Sequence, residues 1–201
     1  MKRMICLFLV MLMGVVAFAD EYVISKIKCL DTEFYYSREI TFKYDDEDDV
    51  YYFYRSGYSL SYWFTLTPDE VEKLRNVLIK VKEWGKIAKE NKATISKEIP
   101  DSVIEVEGTM KSGNSWYVTR REIPLHFFFI SSFSDDAELT SLTIVGGEVE
   151  SKQNQFVGIE FEDVLFINTS IDDFIKAISK ETVEEAKRKH ANQKNASGLF
   201  N

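Results

Sequence analysis

Five consecutive acidic residues, Asp45 to Asp49, form the densest set of ionisable groups in the chain. Carboxylates packed this closely repel one another and need either water or a cation around them. A calcium loop of the EF-hand type requires glycine at its sixth position and a bidentate glutamate at its twelfth. Val50 stands where that glycine belongs, and Ser56 where the glutamate belongs. The run therefore reads as a solvated hairpin loop between "EITFKY" and "VYYFYR", with weak calcium binding as the alternative and no metal site assigned.

Other reactive side chains are sparse. His126 sits beside "FFF" in a strand and His190 on the basic end of a helix, and neither has a Cys or His partner at ligand spacing. The nine glycines are scattered, and "VGGEVE" belongs to a strand or bulge rather than to a phosphate-binding turn. No serine has the "GxSxG" context of a strained nucleophile. Cys29, on a strand face with Val23 and Ile27, reads as a small buried hydrophobe rather than a redox or nucleophilic thiol. Carboxylates alone are numerous enough to supply an acid and a base, so an envelope hydrolase using a carboxylate pair stands as the alternative function, its catalytic residues unknown.

Aromatic residues carry a different chemistry, that of contact. They make up 14% of the chain and crowd its first half, which asks which sheet face they occupy. If Ile40, Phe42 and Tyr44 point inward, Tyr35 lies on the other face with Ser37, Glu39, Thr41 and Lys43, while Trp63 lies with Ser59, Ser61 and Thr65. Rings among small polar neighbours make a contact platform, because a ring supplies large area at low entropy cost. Such rings also suit the space beneath a docked helix, and helices must dock somewhere on this sheet. The binding candidates are Tyr35, Tyr52, Tyr54 and Trp63.

The elements that position these residues follow from periodicity. "EYVISKIKCL", "EFYYSREITFKY", "VYYFYR" and "SLSYWFTL" alternate as strands, with Tyr58, Leu60, Tyr62, Phe64 and Leu66 facing the core. At "TPDEVEKLRNVLIKVKEWGKIAKENK" the period becomes helical: Val71, Leu74, Leu78, Val81, Gly85 and Ala88 form a stripe that Val77 and Trp84 widen. Thr67, Pro68 and Glu70 supply a helix cap, a fitting first residue and a capping box. Strands return from "SVIEVEGTM" to "DVLFIN", with "KSGN" and "SKQN" as turns. Ser170 then caps a second helix with Ile171, Phe174, Ile175, Ile178, Thr182 and Ala186 on its buried side, bent or split where Ser179 offers an internal cap.

The order strands, helix, strands, helix suggests a duplicated unit. "SREITF" at 37–42 resembles "RREIPL" at 120–125, and "TPDEVEKL" at 67–74 resembles "SIDDFIKA" at 170–177. The offsets are 83 and 103 residues, so an insertion must lie in the second half.

At the N-terminus Lys2 and Arg3 precede an apolar run from Ile5 to Val16, and Ala17-Phe18-Ala19 sets small residues before Asp20. This is a signal-peptide pattern with cleavage after Ala19; the run is shorter than the ~20 residues a membrane span needs. Its removal changes the formal net charge from −8 to −10. An acidic balance argues against nucleic acid and against adhesion to an anionic bilayer. With Cys6 gone, Cys29 is alone and no internal disulfide forms.

The expectation is an α+β fold, a large mainly antiparallel sheet carrying two amphipathic helices: residues 1–19 signal peptide, 20–191 a single domain, 192–201 a disordered tail. Its location is the periplasm or outside the cell. No cofactor, nucleic acid or membrane span after cleavage is expected. The function expected is noncatalytic binding of an envelope protein, peptide or glycan.

Overall fold

The structure, a computed structural model, describes residues 21–31, 36–56, 61–112, 114–134, 138–154, 156, 158–160 and 163–198. The signal-peptide stretch and Tyr35, Tyr58 and Leu60 lie outside these residues. The strands are β1 (Glu21–Asp31), β2 (Ser37–Asp45), β3 (Val50–Ser56), β4 (Ser61–Leu66), β5 (Ile95–Glu98), β6 (Ile104–Ser112), β7 (Ser115–Val118), β8 (Ile123–Phe133), β9 (Glu138–Val145), β10 (Glu148–Glu150), β11 (Gly158–Glu160) and β12 (Val164–Ile167). Helix α1 (Pro68–Asn91) separates β4 from β5, and α2 (Thr169–Ala177) and α3 (Lys180–Gly198) follow β12.

Among the described residues ten strands form one antiparallel sheet, in the order β5-β8-β9-β12-β1-β2-β3-β4-β6-β7, while β10 pairs with β11. The fold is α+β. β6 also pairs with β8 through Ile104↔Leu125 and Val106↔Ile123, so the strands from β8 round to β6 close into a ring. Closure pairs backbone groups that an open sheet would leave at an edge. β1 to β4 are chain neighbours paired in sequence and lead into α1, and β6, β8, β9 and β12 are paired in that order and lead into α2.

Strict alternation sorts the side chains. On β2 and β3, Ile40, Phe42, Tyr44, Tyr51 and Phe53 are buried inside the ring, and on β4 Tyr62, Phe64 and Leu66 join them. Val23 departs from this pattern. A register shift between Val23 and Ser25 breaks the period of β1, so Val23 pairs with outward Lys43 while Ile27 and Cys29 stay inside. Gly108 marks a tight corner of β6: a Cβ there would lie 2.8 Å from Ile123 Cδ1 and 2.9 Å from Thr119 Cγ2. Its N–H donates to the Thr119 hydroxyl at 3.0 Å, which holds the chain at the corner where β4, β6 and β8 meet.

α1 buries Val71, Leu74, Val77, Leu78, Val81 and Ala88, the stripe its sequence period predicts. Trp84 is half-buried and meets Phe129 edge-on, with ring centroids 5.6 Å apart. At its start, Glu70 N–H donates to Thr67 Oγ1 at 3.3 Å and Thr67 N–H donates to Glu70 Oε2 at 2.6 Å, completing the capping box. Thr67→Ala is expected to lower stability by about 1 kcal/mol, read as a shift in the denaturant midpoint. An unchanged midpoint would show that water satisfies the first-turn amides equally well.

The second helical segment is split after Ala177 where Ser179 offers an internal cap, so three helices are described rather than two: Thr182 N–H donates to the Ser179 hydroxyl at 3.2 Å at the start of α3. The break changes the helical phase, so Ala177 and Val183 are buried and Thr182 is only half-buried. Ser170 is not the cap of α2. Asn168 stands at that position, its side chain accepting from Thr140 N–H at 2.9 Å rather than capping the helix, and the Ser170 hydroxyl accepts from Ile167 N–H at 2.7 Å. α3 then runs on to Gly198.

Candidate functional site

The inward set on β4 leaves Ser61, Trp63 and Thr65 on the outer face. Register carries that face across the sheet: Thr41 lies opposite Tyr54, Tyr54 opposite Trp63, Trp63 opposite Thr109, and Thr109 opposite Val118. One row along, Lys43 lies opposite Tyr52 and Tyr52 opposite Thr65. On the other side of the central row Ser61 lies opposite Lys111 and Lys111 opposite Trp116. A band of four rings, Tyr52, Tyr54, Trp63 and Trp116, therefore crosses β3, β4 and β7, with hydroxyl and ammonium groups between and beside the rings.

Trp63 is the hub. Its ring centroid lies 4.5 Å from Trp116 and 6.3 Å from both Tyr52 and Tyr54. Since β6 intervenes between β4 and β7, the short distance to Trp116 means that the two indoles lean toward each other across β6. The rings are tilted by 40° to 69° from Trp63, so the surface is ridged rather than flat. Lys43 Nζ lies 5.1 Å from the Tyr54 centroid and Lys111 Nζ 5.6 Å from the Trp116 centroid, each an ammonium held at a ring face. Burial and the neighbouring Asp45 carboxylate push the Tyr52 phenol up to about 12, so it remains a neutral hydroxyl at any ordinary pH.

Asp45 corrects one expectation. The acidic run does form the β2–β3 turn, but Asp45 is 1% exposed rather than solvated. Its carboxylate accepts from Glu47 N–H at 3.0 Å and from Asp48 N–H at 3.4 Å. Asp46 to Asp49 are exposed. Among the described residues no group of three His, Cys, Asp or Glu side chains is arranged to hold a metal ion.

All three helices pack on the inner face of the sheet. Phe174 of α2 meets Phe53 and Phe166, Trp84 of α1 meets Phe129, and Lys187 of α3 lies over Tyr44, every strand partner being inward. Among the described residues no helix covers the Trp63 band. Of the candidates drawn from sequence, the structure brings together Tyr52, Tyr54 and Trp63, and leaves Tyr35 outside the described residues. Trp116, 43% exposed, is an addition to that set. Its signal was the "KSGN" turn, which sets Trp116 opposite Lys111, but linking that pair to Trp63 needs the β4–β6 contact.

Among the described residues carboxylates also come together in two other places. Glu122 is held above the usual carboxylate range by a hydrogen bond to Glu105, at a fully exposed position. Glu105 and Glu122 are thus too close to flank a glycosidic bond, which takes a separation of about 5 Å or more. In a groove of about 830 Å³ between α1, β9 and α2, Asp172 pairs with Lys82 at 2.8 Å and Glu138 with Lys89 at 3.0 Å. His126 Nδ1 lies 2.7 Å from Glu98 Oε1 on the surface. His190 is half-buried, its ring stacked on Tyr22 with centroids 4.2 Å apart.

Inside the ring, Arg55 is 2% exposed and donates to the Tyr62 hydroxyl at 2.9 Å beside a cavity of about 30 Å³, room for water rather than for an organic ligand. No described helix is long and apolar enough to cross a membrane. No protein-family model, curated protein or solved structure matches the chain, so the reading of its function rests on the geometry of the aromatic band.

Proposed function

We propose that the protein is an exported, noncatalytic binding module of the cell envelope, acting in the periplasm or outside the cell through the outer face around Tyr52, Tyr54, Trp63 and Trp116. The observation that carries this reading is a band of four contiguous rings on the sheet face opposite all the described helices. Large aromatic side chains on an uncovered face supply binding energy when a partner removes them from water. Export is supported by the basic start, short apolar run and "AFA" before Asp20. The test is retention of purified protein on insoluble wall material and on detergent-solubilised envelope. Wild type is expected to be retained by one of them, and a W63A/W116A double variant to be retained at least about tenfold less. Equal retention of the two proteins would remove this face from the function.

The fold itself is read as a duplicated unit of four strands and a helix. The two short sequence matches support this, since "SREITF" and "RREIPL" lead into β2 and β8, and "TPDEVEKL" and "SIDDFIKA" open α1 and α2, the same places in the two halves. The β10–β11 hairpin lies between β9 and β12, where the unequal offsets require an insertion.

A further inference from the structure

We propose that the partner of the aromatic band is a linear, uncharged polysaccharide chain of pyranose units. The inference rests on the binding-module reading and adds the chemistry of the ligand.

Charge is the first argument. Lys43 is paired with Glu21 at 3.0 Å and Lys26 with Glu39 at 2.9 Å, and Lys28 lies opposite Glu39 in the register, so each lysine on the β1–β2 side of the band has a carboxylate as its ion pair or register neighbour. Glu107 lies in the Tyr52 row across from Thr65. A face balanced in this way offers little to a polyanion, and the formal net charge of −8 repels one. The complement to a charge-balanced face is a neutral ligand.

The second argument is the composition of the face. Its rings are interleaved with Thr41, Thr65, Thr109 and Ser61, and aliphatic residues are confined to its margins at Val23 and Val118. A pyranose has an apolar C–H face and a rim of hydroxyls, so rings meet the former while threonine hydroxyls and the Lys111 ammonium meet the latter. A folded protein partner would instead be matched by a continuous apolar centre.

The backbone supplies the third argument. β3, β4 and β6 are paired on both sides beneath Tyr52, Tyr54 and Trp63, so an extended peptide laid over these rings finds no free main-chain groups to join. A polysaccharide needs none. The 40° and 45° tilts between successive rings along Trp116, Trp63 and Tyr54 follow a single twisted chain, whereas the flat surface of a crystalline polymer requires coplanar rings.

The probes are cellohexaose and hexa-N-acetylchitohexaose, titrated into the purified full chain by calorimetry and by tryptophan fluorescence. At least one is expected to bind, with affinity little changed between low and high salt because no net charge is neutralised. Trp63→Ala and Trp116→Ala are each expected to weaken binding about tenfold or more. Trp84→Phe, on the inner side, should retain both the binding and the fluorescence change. Trp116, on a terminal strand and 43% exposed, provides a variant that keeps its fold if Trp63→Ala does not. Absence of binding to either sugar, with envelope retention still dependent on Trp63 and Trp116, would overturn the polysaccharide proposal and leave the binding module with a protein partner. Loss of envelope retention dependence as well would overturn both. Concentration-dependent self-association abolished by Trp63→Ala would identify a second copy of the chain as the occupant and equally overturn it.

Discussion

Phe64→Ala is expected to destabilise the protein by roughly 3–5 kcal/mol, whereas Trp63→Ala, one residue earlier, is expected to lower stability by about 1–2 kcal/mol. The two side chains share a strand and differ by one step of the pleat. Phe64 is 6% exposed, stands 5.4 Å from Tyr62 and lines the interior cavity, so truncation leaves a void that surrounding strands closed into a ring cannot collapse to fill. Trp63 is only half-buried, and its losses are ring contacts with Tyr54, Tyr52 and Trp116 on a surface that water can re-enter. Urea melts of the two variants beside wild type read both values. Equal, large losses would mean that the outer band is itself a core, and the contact-face reading would go with it.

Phe174→Ala is expected to have a comparable effect, again roughly 3–5 kcal/mol, for a different reason. α2 is a short helix without a side-chain cap, so little holds it apart from what it buries. Phe174 is 0% exposed and packs at 4.5 Å from Phe166 and 5.6 Å from Phe53, rings from β12 and β3 on different parts of the strand ring. Its removal loosens α2 and, through the Arg75 side chain that donates to the Ile178 carbonyl, the approach of α1 to the same end of the molecule. Thermal melting should show the loss, and faster amide exchange confined first to α2 would locate it. Stability within about 1 kcal/mol of wild type would show that α2 is held by its backbone contacts instead.

Faces were legible in the sequence wherever a strand kept its period. Tyr62, Phe64 and Leu66 went inside and Trp63 outside because side chains alternate by covalent geometry alone. The α1 stripe and its capping box were legible for the same reason, as interactions within a few residues of one another. Where the period slipped, the reading slipped with it. The irregularity after Val23 turned that residue outward, and the break at Ser179 exchanged Thr182 for Val183. The irregularity in β1 changes no composition and leaves little trace in a pattern, whereas the Ser179 cap marks the helix break but not the size of the phase change that follows it.

Short-range pattern is therefore enough for strand faces, the first helix with its cap, the turn at "KSGN", and the absence of close-spaced ligand or nucleophile motifs. Three features arise only where distant segments meet. The pairing of β6 with both β4 and β8 closes the ring and carries Trp116 to Trp63, and it joins segments separated by α1, β5 and a hairpin. The docking of every helix on the inner face left the aromatic band uncovered, a choice between two faces that were both rich in rings. Asp45 was drawn out of water by the amides of its own turn and by the Tyr52 hydroxyl on the neighbouring strand. Each depends on contacts between distant residues, whose free energy comes from burial across the whole ring and so has no expression in any short stretch of sequence.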